Sequence, residues 1–484
     1  MKRLFTVSVS AALLAGCAVG PTYQKPETPP AAAAAFVDPG MTKVSPGAVE
    51  GEWWRLFKDP VLDRLVVEAL TYNTDIRQAS ANLKRARAIL SESRGQRLPG
   101  TSVSAGYTRS RTGAESAQGA LPAGVDGVEG DFFRVGLDAS YEVDLFGRVS
   151  RSIEAARGDV DAAQAALDGA RVAIAAETAR TYAAACGFAA QAAAARETVQ
   201  LQSRTLDLTQ RLVDAGRGTI RDVDQARVLA ENARAQVPAF EAERRAALYA
   251  LATLTGKPPA ELDGQADACA TPPGVSALIP VGDGQALLAR RPDVRQAERQ
   301  LAADTARVGV ATAALYPSIT LGGSVSLGAQ NIEDLGKSSS FNFSLGPLLS
   351  WNFPNLTAAR SRVRQAEAGA EGSLAAFDGT VLTALREVEQ ALARYSGEIE
   401  RNVALRRADA SATNAARIAI LRFEAGRDSL LQRIDAERER AGARAALAQS
   451  NAALAEAQVA LFKALGGGWE AAPESVRRET TPAN

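Results

Sequence analysis

Residues 132 to 145 alternate in character. Phe133, Val135, Leu137, Ala139, Tyr141, Val143 and Leu145 fall on one side, and Arg134, Gly136, Asp138, Ser140, Glu142 and Asp144 on the other. The same period returns in Phe341, Phe343, Leu345, Leu349, Trp351 and Phe353 against Asn342, Ser344, Gly346, Ser350 and Asn352. Ile319, Leu321, Val325 and Leu327 alternate with Thr320, Gly322, Ser324 and Ser326, and Val103, Ala105 and Tyr107 do so more weakly. A period of two with one apolar face predicts strands near 101–111, 131–145, 318–328 and 339–353. Elsewhere the period lengthens. Leu374, Phe377, Val381, Leu385, Val388, Leu392, Tyr395, Ile399 and Val403 step by three or four, a narrow seam of coiled-coil type. Shorter helices are expected over about 60–96 and 284–314, and very long ones after each strand pair. The first of these, from about 150 to 213, would measure roughly 90 Å at 1.5 Å per residue. Helices of that length outrun an ordinary globular core.

The pattern is written twice. Asp75-Ile76-Arg77-Gln78-Ala79 returns as Asp293-Val294-Arg295-Gln296-Ala297, Leu167-Asp168-Gly169 as Phe377-Asp378-Gly379, and Ala215-Gly216-Arg217 as Ala425-Gly426-Arg427. Such self-similarity marks two tandem structural repeats. The first, 51–257, holds a helix, a β-hairpin (101–145) and a long helix pair turning at 214–219. The second, 284–467, holds a helix, a hairpin (318–353) and a long pair turning at 424–429. A Pro- and Gly-rich linker, 258–283, joins them, and 468–484 form a C-terminal tail. Pro238 lies inside a returning helix and is expected to bend it.

The first residues belong to targeting rather than to the fold. Lys2 and Arg3 precede an apolar run to Leu14, then Leu14-Ala15-Gly16-Cys17. Residues 1–16 read as a secretory signal, and a cysteine right after the cut resembles the bacterial lipobox. A diacylglycerol and an N-acyl chain on Cys17 would anchor the mature chain. The Pro- and Ala-rich stretch 17–50 reads as a tether.

Composition narrows the chemistry. The 484 residues carry 55 basic and 55 acidic side chains, so no net field points to nucleic acid. There is no histidine, which removes the commonest general base, the Ser-His-Asp triad and His-ligated zinc. With no phosphate-binding Gly loop and no metal or nucleophile cluster, the chain reads as a non-enzyme without a cofactor beyond the lipid. The three cysteines, Cys17, Cys186 and Cys269, form no CxxC pattern. Cys186, in an Ala-rich helical run, reads as a small buried thiol, and Cys269 has no assigned role.

After the leader no stretch of about 20 apolar residues is free of charge, so any crossing of a bilayer falls to the strands. Four strands cannot close a barrel alone, and open edges in lipid leave backbone groups unpaired. Two, three or four chains would give eight, twelve or sixteen strands; eight fill with side chains, and more leave a lumen.

The two turns carry the candidate chemistry. Gly216 and Gly426 end one helix each, Thr219 and Ser429 cap the next, and Arg217 and Arg427 stand between. Asp222, Asp224 and Asp435 follow. In a closed oligomer each would form a ring of like charge that attracts cations and that Arg217, Arg221, Arg427 or Arg433 could hold shut. The same acids also suit solvated helix N-termini.

An ordered set of residues resembles the TolC-like outer membrane factors, the NodT-type lipoprotein branch above all. It comprises Leu14 to Cys17, Tyr23-Gln24-Lys25-Pro26, Trp53-Trp54 with Phe57-Asp59-Pro60-Leu62, and Tyr141 to Gly147. Arg291-Pro292-Asp293-Val294-Arg295, Tyr316-Pro317 and the two Gly turns complete it. The resemblance implies a mostly α protein with a transmembrane β part. In a homotrimer, long antiparallel helices would form an α-barrel and four strands per chain would complete a twelve-stranded β-barrel. It further implies an outer-membrane efflux channel that carries small molecules passively to the exterior. The partners would be a periplasmic adaptor and an inner-membrane resistance-nodulation-division transporter. Asp435 matches the family's tip acid, Asp222 falls where some members place another gating acid, and the residues around Gly216 and Gly426 match the adaptor-docking turns. Gln432 and Arg433 depart from members with further acids or aromatics there. A type I protein-secretion duct and a lipid-anchored periplasmic coiled coil are the alternative readings.

Overall fold

The computed structural model describes residues 18–27, 32, 34, 36, 43–47, 51–113, 127–261 and 263–478. In chain order the main elements are β1 (Val44–Ser45), a 3-10 turn (Trp53–Phe57), α1 (Pro60–Tyr72), α2 (Thr74–Gly95), β2 (Gly100–Gly113), β3 (Gly127–Val143), α3 (Arg148–Asp214) and α4 (Ile220–Leu254). The second half adds β4 (Ile279–Pro280), α5 (Gly284–Arg290), α6 (Pro292–Ala313), β5 (Ser318–Ala329), β6 (Phe341–Ser350), α7 (Thr357–Glu424) and α8 (Leu430–Leu465). The helices expected over 60–96 and 284–314 each come in two pieces. Asn73 ends α1 and starts α2, its side-chain oxygen accepting from the N–H groups of Asp75 (2.8 Å) and Ile76 (3.3 Å). In the second half the break falls at Arg291-Pro292, where proline suits a first helical position. Helix α4 continues through Pro238.

The chain divides into two compact units. The first comprises Met1–Lys25 (described from Ala18), Lys84–Ala162 and Glu298–Ala376; the second comprises Pro26–Leu83, Ala163–Ala297 and Phe377–Asn484.

The first unit carries a four-stranded antiparallel sheet in the order β2-β3-β5-β6. Its middle pair, β3 with β5, joins the two halves of the sequence. The register sorts side chains into rows. Val103, Leu137, Val325 and Phe343 are successive partners across all four strands, as are Ser102, Asp138, Ser324 and Ser344. One row is apolar and its neighbour polar, because adjacent residues of a strand face opposite ways. The apolar row stays exposed: Val103 by 77%, Phe343 by 74%. Trp351 and Phe353, read from the alternation as strand residues, lie past the end of β6. Beside the sheet, Leu90 packs with Val149, Ile153 and Ala156. Arg307 grips Asp159 through two contacts of 2.7 and 2.6 Å.

The N-terminal stretch, read as a tether, makes specific contacts along 19–23. Val19 N–H donates to the Phe146 carbonyl (3.2 Å), Arg151 donates to the Thr22 hydroxyl (3.3 Å), and the Tyr23 hydroxyl donates to Glu298 (3.1 Å). Burial and the adjoining Glu298 push the Tyr23 phenol up to about 12. Further on, β1 runs parallel to β4 with Val44 opposite Ile279. Pro and Ala give no period from which such docking could be read.

The second unit buries Trp53, Trp54, Leu62 and Phe462, with the Trp53 and Phe462 rings stacked at 4.9 Å. Asp59 caps α1 through Val61 and Leu62 and accepts from the Tyr182 hydroxyl (3.1 Å). Arg64 makes a bidentate pair with Asp263 (2.6 and 3.1 Å), which holds that carboxyl down at about 2. Buried Arg291 reaches Asp293, Glu387 and the Ala464 carbonyl. Cys186 is no free thiol. It is disulfide-bonded to Cys269, 83 positions away, with Cα atoms 5.2 Å apart. That bond ties α3 to the linker, which Gln458 also grips through the N–H and carbonyl of Val275 (3.0 and 2.9 Å).

Candidate functional site at the helical turns

The two turns, both in the second unit, are built alike. Gly216 and Gly426 take left-handed backbones, φ 71° and 69°. Arg217 N–H bonds to the Leu212 carbonyl and Gly216 N–H to that of Val213; Arg427 to Arg422 and Gly426 to Phe423 repeat the pattern. This is a Schellman closure, which favours glycine at the left-handed position. A capping box then starts each returning helix. Asp222 accepts from the Thr219 N–H (2.9 Å) and hydroxyl (2.8 Å). Gln432 accepts from the Ser429 N–H (2.8 Å), while the Ser429 hydroxyl accepts from the Gln432 N–H (3.3 Å).

The acids therefore differ in role. Bonding to the Thr219 N–H, then to its hydroxyl, keeps Asp222 ionised below the usual carboxylate range. Asp224 pairs with Arg227 (3.0 Å). Asp435, half-exposed, has Arg438 at 3.6 Å. Arg217, Arg221 and Arg427 make no ion pair among the described residues and lie exposed. Arg433 is committed elsewhere. Its Nε donates to Glu437 (3.0 Å), and its guanidinium lies 5.4 Å from the Phe423 ring centre. Glu437 is 2% exposed and also accepts from the Thr205 hydroxyl of α3 (2.6 Å). That buried carboxylate escaped the reading of the sequence. Its only signal there is the four-residue spacing from Arg433. The Thr205–Glu437 bond sets the two turns at the same end of this unit. Ile220 (66%) and Leu431 (60%), each just past a cap, present apolar side chains there.

Among the described residues no helix is long and apolar enough to cross a membrane, and no three side chains converge as a metal site. The sheet offers its apolar rows instead, and Cys17 lies outside the described residues.

A four-stranded sheet with alternating apolar and polar rows, in a chain that also carries two helices of 67 and 68 residues, defines an envelope channel of the outer-membrane type. The family model described as outer membrane efflux protein matches residues 65–257 and 284–467, and the chain belongs to that family. It is 32% identical over 478 residues to outer membrane protein OprJ of Pseudomonas aeruginosa, covering 97% of each chain. It is 30% identical over 466 residues to nodulation protein T of Rhizobium leguminosarum bv. trifolii, covering 96% of this chain and 97% of that one. Among solved structures it is similar to the outer-membrane channel OprN: TM-score 0.86, 35% identity, 94% of this chain and 100% of that one. The chain is an outer-membrane efflux channel protein.

Proposed function

We propose that three copies of this chain close one twelve-stranded barrel. It would serve as the passive exit duct of a tripartite pump, driven by an inner-membrane resistance-nodulation-division transporter through a periplasmic adaptor. The observation that carries the reading is the pair of open sheet edges. Neither β2 nor β6 has a second partner among the described residues, while the apolar rows suit lipid. Backbone groups left unpaired in hydrocarbon are costly, so the edges must meet other edges. Two chains would give a barrel filled by side chains, and three leave a lumen. The polar rows, rich in Ser and Gly, suit such a wet interior.

Lipid on Cys17 would hold the assembly in the membrane. The neighbouring residue supports this: Ala18 lies against Gly147, just past the end of β3. At the helical turns, Asp435 with Asp222 and Asp224 would line the closed tip. The turns around Gly216, Arg217, Thr219, Gly426, Arg427 and Ser429 would meet the adaptor. Arg433 would brace the tip through Glu437. Native mass spectrometry of detergent-extracted protein, paired with planar-bilayer recording, tests the duct. Three chains and a stable conductance are expected; a lone protomer without conductance overturns it.

A further inference from the structure

All four strand–helix junctions of the first unit fall at one end of the sheet. The register requires it, with Gly100 opposite Ser140, Val143 opposite Ile319 and Ser318 opposite Ser350. Aromatic rings gather at that end. Phe146 stacks on Tyr316 and Trp351 on Phe353, each at 4.6 Å, and the Trp351 indole donates to the Leu315 carbonyl (3.1 Å). Such amphipathic rings favour the lipid–water boundary.

A set of cations lies on the helical side of those rings. Arg94 and Arg97 close α2 and its following turn, and Arg360, Arg362 and Arg364 occupy the first turns of α7. All five are exposed. None makes an ion pair among the described residues; Arg97 reaches the Ser150 hydroxyl (3.3 Å) and Arg364 that of Ser361 (3.0 Å). The acids at the junctions are engaged, Glu142 by Arg148 and Asp144 by the N–H groups of Val149 and Ser150. Glu92 on α2 is the exposed acid nearest in sequence to Arg94. At the far end of β2 and β3 the charges balance, with Arg109 and Arg111 opposite Asp131 and Glu129 and Arg109 ion-paired to both acids. Because β2 and β6 are the sheet's edges, α2 and α7 flank them. The edge closure proposed above, on which this step rests, brings α7 of one copy beside α2 of the next. Each seam then brings Arg94 and Arg97 beside Arg360 and Arg364, which share one face of α7, with Arg362 turned away by about 200° and Glu367 the exposed acid next along that helix.

We propose that these arginines, with the aromatic pairs above them, bind anionic phospholipid headgroups of the leaflet facing the helices. Guanidinium forks match phosphate oxygens, and basic side chains at an anionic leaflet are drawn to it through a range set by the Debye length. Rings at the acyl boundary and forks one or two helical turns beyond match the order of parts in a phospholipid.

The test uses the full chain in vesicles of brominated phosphatidylglycerol or brominated phosphatidylcholine, reading bromine quenching of tryptophan. Trp351 is 44% exposed at this rim, Trp53 and Trp54 are buried, and half-buried Trp469 is replaced by Phe so that Trp351 reports the contact. Phosphatidylglycerol is expected to bind at least about threefold more tightly, with the preference falling toward unity at about 0.5 M salt, where the Debye length shrinks to a few ångströms. The preference should also fall in R94Q/R97Q/R360Q/R362Q/R364Q, and partly in R94Q/R97Q and R360Q/R364Q should the fuller variant not fold. Native mass spectrometry should show retained phosphatidylglycerol lost from that variant at unchanged assembly mass. Equal binding of the two lipids, or undiminished adducts on an intact variant, overturns the proposal. So does a preference abolished by millimolar inorganic phosphate at constant ionic strength, which would mark a free-phosphate site. A single-chain mass with the lipid preference intact overturns the edge closure instead and leaves the arginine surface standing.

Discussion

Asp435 and Glu437 stand two positions apart, yet one is half-exposed and the other almost sealed. A buried carboxylate that loses its cation keeps the desolvation cost without the compensation. Replacing Arg433 with Ala should therefore destabilise the tip end of the helix pair by about 3 kcal/mol. Hydrogen exchange should quicken around Thr205 and Glu437, and unchanged protection would count against the brace. Asp435→Ala should leave that protection alone and raise single-channel conductance or weaken block by multivalent cations. Identical traces would remove Asp435 from the gate. The sequence made Asp435 visible because a carboxylate after a Gly turn is a local signal. Glu437 stayed hidden because its burial depends on which face of α8 meets α3, a tertiary fact. Arg433 looked like a free cation for the same reason.

The alternating strands and the three-to-four stepping seam were legible because each is a periodic response to a surface with two sides. Pairing was less so. The strand patterns mark two hairpins, but the β3–β5 bond between halves follows from the fold as a whole. Helix packing in the first unit also depends on absent side chains. A Cβ placed on Gly158 of α3 would lie 2.9 Å from the Cβ and 3.0 Å from the Cα of Ala303 on α6. Alanine there would gain up to about 1 kcal/mol of helix propensity. It would also force the backbones apart, at a cost of about 1–3 kcal/mol. Gly158→Ala should thus be net destabilising, with a lower unfolding temperature of the detergent-solubilised protein; a raised one would show that α6 yields freely. The N-terminal stretch was illegible for the opposite reason: its hydrogen bonds are made by backbone groups and single side chains in no repeating order.

Over the whole molecule, lipid attachment and barrel closure are separable. Cys17→Ser should abolish incorporation of radiolabelled palmitate while oligomer mass and conductance persist, since closure rests on strand edges. Labelling that survives the substitution would refute the anchor. The bond between Cys186 and Cys269 adds a record of where each copy has been. Cytosolic glutathione and thioredoxin keep such pairs reduced, so a chain stalled before translocation would carry two thiols and a linker without its covalent clasp. Copies that reach the oxidising side acquire the clasp, and on a non-reducing gel the two populations separate, an internal stamp of export written into the polypeptide itself.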